Sequence, residues 1–358
     1  MIAGLGCYDS QPLAEVQSCQ LCRCWQHFDS PRSTSVLISP KCVDFPMDEP
    51  IAIIDGQVCP ASEARISVCD LGLVMGASVT EMVRTFSHRP FRLQDHLMRL
   101  MRGVHSAGFP AGIDPQMLQA HVETVVGHNA ALLNEDEDLG VVVFVTAGKN
   151  LTYLGAARRA EARQPTQCVH SFRLPCELWA AKMAAGQHLV VPSVRQMPAE
   201  TLDPRIKSRS RMHWYVADQQ ARIVDPQAAA LVLDQSGNVA ETSTGNVFVV
   251  KNGVLKTPRP HVALEGVSQH VVRELAEQMG VTCIACDLHP LDVLNADEVF
   301  TSSTPYCVMP VTRFNGQPIG CGQSGPMFAR ILSAWNKMVG LDIMRQISRM
   351  ATDRETDM

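Results

Sequence analysis

Asp203-Pro-Arg-Ile-Lys207-Ser-Arg-Ser-Arg211-Met-His-Trp-Tyr215-Val-Ala-Asp-Gln-Gln-Ala221 is the stretch around which the rest of the chain can be ordered. Asp203-Pro204 is turn chemistry. The residues after it predict a helix from about Pro204 to Val224 that carries or follows Lys207. Upstream, His188-Leu-Val-Val-Pro192 reads as a short strand. A lysine placed between a strand region and a helix, just after a turn, is presented into a cleft. The other lysines are placed differently: Lys41 lies in an N-terminal extension, Lys251 precedes a hairpin turn, and Lys337 falls on the terminal helix.

Downstream of Lys207, strands alternate with turns. Ala230 to Asp234, Val239 to Glu241, Asn246 to Val250 and Val254 to Thr257 read as strands, with Gln235-Ser-Gly-Asn238 and Asn252-Gly253 as turns. A helix follows Gly266 and runs to Gly280, then strands at Val281 to Cys286 and Glu298 to Thr301. A last helix is expected from Pro326 to about Met344, and the polar tail from Arg349 to Met358 is expected to fray.

Upstream, residues 1 to 48 show no clean period and read as an extension. Ile51-Ala-Ile-Ile-Asp55-Gly56-Gln-Val58 is strand, Asp-Gly turn, strand. The glycines of Asp70-Leu-Gly72-Leu-Val-Met-Gly76 mark tight turns. Val79 to Phe86 and Pro90 to Arg92 form a second hairpin. Leu93 to Gly108 and Gln116 to Leu133 are amphipathic helices, and Val141 to Val145 is a buried strand. An interdomain connection falls within Gly155 to Thr166 or near Pro175 to Gly186. Strands and helices mix without strict β-α-β alternation. The expected class is therefore α/β of an α+β-like kind, with mixed sheets and flanking helices. The expected division is an extension (1–48), a small N-terminal domain (49–175) and a larger C-terminal domain (176–350).

Composition narrows the function classes. At 358 residues with 19% charged and 46% hydrophobic residues, the chain fits a globular protein of two domains. A net charge of −5 gives no electrostatic basis for binding nucleic acid or an anionic membrane. No apolar run approaches the ~20 residues that span a bilayer, and no signal-peptide pattern opens the chain. Most of the 13 cysteines stand singly in apolar patterns, as small hydrophobes of a reducing, cytoplasmic protein. Cys19, Cys22 and Cys24 sit in an aperiodic segment, and Cys283 and Cys286 on a strand. Neither group is assigned a metal.

A cleft lysine can carry an aldehyde cofactor as a Schiff base, and pyridoxal phosphate would need three further services. Its phosphate needs N–H donors at a helix start and a cation. Gly266-Val267-Ser268, Thr301-Ser302-Ser303-Thr304 and Arg99 can supply these. Its ring nitrogen needs a carboxylate, and Glu241, at a strand end before small polar residues, qualifies.

Six stretches, in order, resemble the class IV (fold type IV) pyridoxal-phosphate aminotransferases. This family includes branched-chain and D-amino-acid aminotransferases and aminodeoxychorismate lyase. The stretches are Asp70 to Glu81; Phe91-Arg-Leu-Gln-Asp-His96-Leu-Met-Arg99-Leu100; Ile206-Lys207-Ser208; Asp234 to Phe248 with Thr257-Pro258; Leu264-Glu-Gly266-Val-Ser268; and Ala296-Asp-Glu-Val-Phe300 through Pro310-Val311. Together they cover about residues 50 to 340. The resemblance implies that Lys207 forms the aldimine, that Glu241 meets the ring nitrogen, and that Arg99, Val267, Ser268 and Thr304 hold the phosphate. It also implies a homodimer that transfers an amino group from a small or branched amino acid, of L or D form, to a 2-oxo acid. An aminodeoxychorismate-type lyase and a non-catalytic member stay open as alternatives.

The chain departs from the family near the substrate. Arg209, Ser210, Arg211 and Met212 occupy the place where branched-chain enzymes carry a tyrosine, and the strand Val141 to Val145 lacks the arginine that several relatives carry. Arg209 or Arg211 is the candidate to receive the substrate carboxylate.

Overall fold

The computed structural model describes residues 48–154 and 164–356, with side chains to residue 352. The extension, with Cys19, Cys22 and Cys24, lies outside these residues, as does the segment 155–163.

The chain opens with the hairpin β1 (Ile51–Ile54) and β2 (Gln57–Pro60), turned at Asp55-Gly56 as the sequence predicts. A short helix α1 (Leu71–Val74) is capped by Asp70, whose side chain accepts from the Gly72 N–H. Then come β3 (Ser78–Phe86), β4 (Arg89–Pro90), α2 (Leu93–Ser106), α3 (Pro115–Ala130), β5 (Leu139–Thr146) and β6 (Gln167–Arg173). The six strands form one antiparallel sheet in the order β2-β1-β6-β5-β3-β4.

The helices cover one face of this sheet through Leu97, Leu100, Val104, Leu118, Val122 and Val125, packed on Val79, Val83, Val141 and Val143. Burying each such side chain contributes roughly 1.5–3 kcal/mol before entropy is counted. Helix α2 approaches β3 closely because Gly103 has no side chain: a Cβ there would stand 2.9 Å from Val79 Cγ1.

The second sheet begins after α4 (Glu177–Ala185). It contains β7 (Gln187–Val190), then, beyond α5 (Met212–Val224), β8 (Ala229–Leu233), β9 (Val239–Thr242), β10 (Asn246–Lys251) and β11 (Val254–Thr257). Helix α6 (Val267–Gln278), β12 (Cys283–Ala285), α7 (Pro290–Leu294), β13 (Glu298–Ser303), β14 (Cys307–Phe314) and β15 (Gln317–Pro318) complete it, and α8 (Pro326–Val339) and α9 (Ile343–Thr356) close the chain. The order is β12-β11-β10-β13-β14-β7-β8-β9, with β15 on β14. Pairs β11–β12, β14–β7 and β7–β8 are parallel and the rest antiparallel. The class is the mixed α/β, α+β-like one expected, with flanking helices.

Three expectations are corrected. The helix expected from about Pro204 starts only at Met212 and so follows Lys207 rather than carrying it, because the preceding backbone is drawn into a bridge between Ser208 and Val79. The terminal helix is two helices, broken at Gly340, whose φ of 69° is left-handed. The tail does not fray at Arg349: α9 is helical to Thr356 and buries Ile347 and Met350. Strands β6 and β14 have no counterpart in the sequence pattern. Strand β14 carries Pro310, which argues against an inner strand. Pro310 stands opposite Phe300, and the register on the β7 side shifts just beyond it, between Val311 and Arg313.

Candidate active site

Lys207 is held by the backbone on both sides. The Thr80 N–H donates to the Lys207 carbonyl at 2.9 Å and the Arg209 N–H to the Ser78 carbonyl at 3.0 Å. The lysine segment is thus an extra rung on β3, which fixes it against the first sheet while α5 leads into the second.

The side chains meet in a cavity of about 280 Å³. Arg99, Lys207, Glu241, Val267, Ser268 and Thr304, all six named from the sequence, line it, and so does Arg211. Arg209 does not: it is exposed, and its guanidinium lies 4.7 Å from the centre of the Phe144 ring. Met82, Met197, Leu202, Ile206 and Trp214 supply apolar wall.

Electrostatics separate the ionisable groups. Lys207 is half-buried in the cavity wall. Desolvation, with the nearby Arg99 charge, brings its amine down to about 8. Glu241, 8% exposed, is pushed up to about 7 by burial. Its Oε1 accepts from Gln196 Nε2 at 3.0 Å. Burial also pushes Glu81 up, but the Arg99 charge and the hydrogen bonds from Arg99 and His96 outweigh it and hold this carboxyl at about 2. Arg99 Nε and Nη2 donate to the two Glu81 oxygens at 2.7 and 2.6 Å, and Nη1 donates to the Glu265 carbonyl at 2.7 Å. His96 Nδ1 lies 2.8 Å from Glu81 Oε2, and burial lowers its basicity, so the ring is neutral and donates.

The residues fit a phosphate-bearing cofactor. Helix α6 points its first N–H groups toward the cavity with Gly266 as N-cap and no side-chain cap. A Cβ on Gly266 would stand 2.1 Å from Asn246 Oδ1, so only glycine leaves this end open. Ser302, 1% exposed and on the cavity wall, has a buried Oγ with no partner among the described residues. An unpaired buried hydroxyl costs free energy unless a ligand completes it.

Sequence reasoning gave no role to Gln196, Glu81 or His96. Glu81 and His96 stood inside the quoted motifs without an assigned function. Ser302 lay in a stretch named only as a donor source. Gln196 stands alone in a loop, and no local pattern announces it.

Comparison with known proteins bears on the family and the fold. The family model "Amino-transferase class IV" matches residues 78–314. The chain is 28% identical over 284 residues to the D-alanine aminotransferase of Bacillus licheniformis, spanning 79% of this chain and 94% of that one. It is 24% identical over 288 residues to the branched-chain-amino-acid aminotransferase-like protein 1 of Arabidopsis thaliana, spanning 80% of this chain and 50% of that one. The structure of the branched-chain amino acid aminotransferase from Thermobaculum terrenum in its PLP form shares the fold, with a TM-score of 0.71 at 20% identity over 84% of this chain and 97% of that chain. With the family model spanning most of the described chain, the chain belongs to the class IV aminotransferases, which depend on pyridoxal phosphate.

Proposed function

We propose that the protein transfers the amino group of a small or branched amino acid to a 2-oxo acid, with Lys207 as the residue that holds the cofactor and moves the proton. The observation that carries this is a depressed lysine amine, a buried carboxylate and the uncapped start of α6 around one cavity. Bound there, pyridoxal phosphate supplies an electron sink for the negative charge that develops at the substrate α-carbon.

The chain's own residues divide the work. Arg99, Ser268 and Thr304, with the N–H groups of Val267 and Ser268, hold the phosphate. Glu241 would hold the proton of the ring nitrogen, with Gln196 and the Leu264 backbone as its partners in the protein. Lys207 Nζ, neutral in a substantial fraction near pH 8, takes the α-proton and returns it. Arg211 is the candidate for the substrate carboxylate because it lines the cavity. Arg209, which does not, is the weaker one. The apolar wall of Met82, Met197 and Leu202 suits a small or branched apolar side chain.

Division into domains of 49–175 and 176–350 is supported by the two sheets, whose strands end at Arg173 and begin at Gln187. Association as a homodimer is supported by exposed apolar residues next to the lysine segment. Met75 and Met212, 64% and 74% exposed, flank the contact in which Ser210 Oγ donates to the Gly76 carbonyl at 2.8 Å. A cytoplasmic location is supported by free buried thiols at Cys168, Cys176 and Cys307. Light scattering in solution tests the dimer.

The experiment that tests the activity is a panel of L- and D-amino acids with 2-oxoglutarate and pyruvate as acceptors, run on the wild type and on Lys207→Ala. Turnover of an apolar donor that Lys207→Ala abolishes is expected. No turnover with any donor, or turnover that survives the substitution, sinks the proposal.

A further inference from the structure

We infer that Glu81 is a positioning residue that turns Arg99 into a phosphate clamp. This role rests on the proposal that the cavity holds the phosphate of pyridoxal phosphate.

A guanidinium has five N–H donors. Among the described residues, protein atoms take three from Arg99: two go to the Glu81 carboxylate and one to the Glu265 carbonyl. Two remain on a side chain that lines the cavity. Arg84, on the same strand as Glu81, behaves differently. It donates to the carbonyls of Thr85 and Pro305, to Cys307 Sγ and to Gln346 Oε1, and it does not line the cavity. One buried arginine is spent inside the protein, while the other is held on one edge and left open on the next.

The holding is rigid. Glu81 is fully buried, with both oxygens on Arg99 and a third contact from His96 Nδ1. Gly103, one turn beyond Arg99, brings α2 against Val79, two residues before Glu81. The carbonyl of Glu265 ties the same guanidinium to the residue before Gly266, the cap of α6. Arg99 therefore spans β3, α2 and the start of α6. A bidentate carboxylate fixes the plane of the fork as a single acceptor would not. Removal of that carboxylate leaves a flexible cation whose plane must be ordered each time phosphate binds.

The test compares pyridoxal phosphate with pyridoxal, which lacks the phosphate, by titrating the apoprotein spectrophotometrically. The proteins are the wild type, Glu81→Gln, Glu81→Asp, Arg99→Gln and the Glu81→Gln/Arg99→Gln double variant. Loss of a charge-assisted pair predicts that Glu81→Gln weakens pyridoxal phosphate about tenfold or more and pyridoxal by less than about twofold. The double variant should bind pyridoxal phosphate no worse than Arg99→Gln alone, since Glu81 acts through Arg99. Glu81→Asp keeps the charge but reaches less far, and it covers the case in which Glu81→Gln does not fold. It too should lose more affinity for pyridoxal phosphate than for pyridoxal. Equal losses for both ligands, or a double-variant loss equal to the product of the single ones, would mean that Glu81 is only structural. If Arg99→Gln leaves the preference for pyridoxal phosphate over pyridoxal intact, the phosphate assignment of the cavity fails instead, whatever Glu81 does.

Discussion

Replacing Glu241 with glutamine should make the apoprotein more stable in base than the wild type, with an advantage that fades toward acid. Burial raises this carboxyl from 4.5 to about 7. Between those values the folded state binds more protons than the unfolded chain, so its contribution is fully present below about pH 4.5 and is lost as pH rises through about 7. At about 1.4 kcal/mol per pH unit, the full span is about 3–4 kcal/mol. Between about pH 5 and about pH 8.5 it is about 2–3 kcal/mol. Glutamine keeps the shape but cannot ionise, so the variant lacks this slope. Urea unfolding of both apoproteins at the two pH values measures it. The stability difference, variant minus wild type, should grow by about 2–3 kcal/mol toward base. A pH-independent difference, or one that grows toward acid, refutes the buried-carboxyl account. On the role proposed for Glu241, a protonated ring nitrogen would restore a partner to the carboxylate, so saturation with pyridoxal phosphate should shrink the pH-dependent gap.

Three further outcomes follow from packing. Gly266→Ala puts a Cβ 2.1 Å from Asn246 Oδ1 and disturbs the side chain whose Nδ2 donates to the Leu264 carbonyl at 2.7 Å. The affinity for pyridoxal phosphate, measured by spectrophotometric titration, should fall about tenfold. Arg84→Met strands the acceptors Gln346 Oε1 and the Pro305 carbonyl in a buried site, and urea denaturation should show a loss of about 3 kcal/mol. Glu298→Ala removes the carboxylate that accepts from the Met327 and Phe328 N–H groups at the start of α8; calorimetry should show a loss of about 1–2 kcal/mol.

Local order is legible where a short-range rule controls it. The Asp55-Gly56 turn, the amphipathic α2 and α3, and the Asn252-Gly253 hairpin follow from backbone preference and period, and all stand where the sequence puts them. Helix α5 starts later than its pattern indicates because a distant strand, β3, recruits the lysine segment into a bridge. Strand β14 escapes the local rule because Pro310 breaks it while partners far along the chain impose the strand.

The site divides in the same way. Residue types and motif order named Lys207, Arg99, Glu241, Val267, Ser268 and Thr304, because the chemistry demands an amine, a cation, a carboxylate and a helix start, and each of these is a local property. That they surround one cavity, that Arg211 joins them while Arg209 does not, and that Glu81 and Gln196 hold two of them were decided by tertiary structure alone. The sequence determined which groups are present. Only the packing of β3, α2 and α6 around the lysine decided which of them touch, because burial and mutual distance set both the direction of a side chain and the charge it carries.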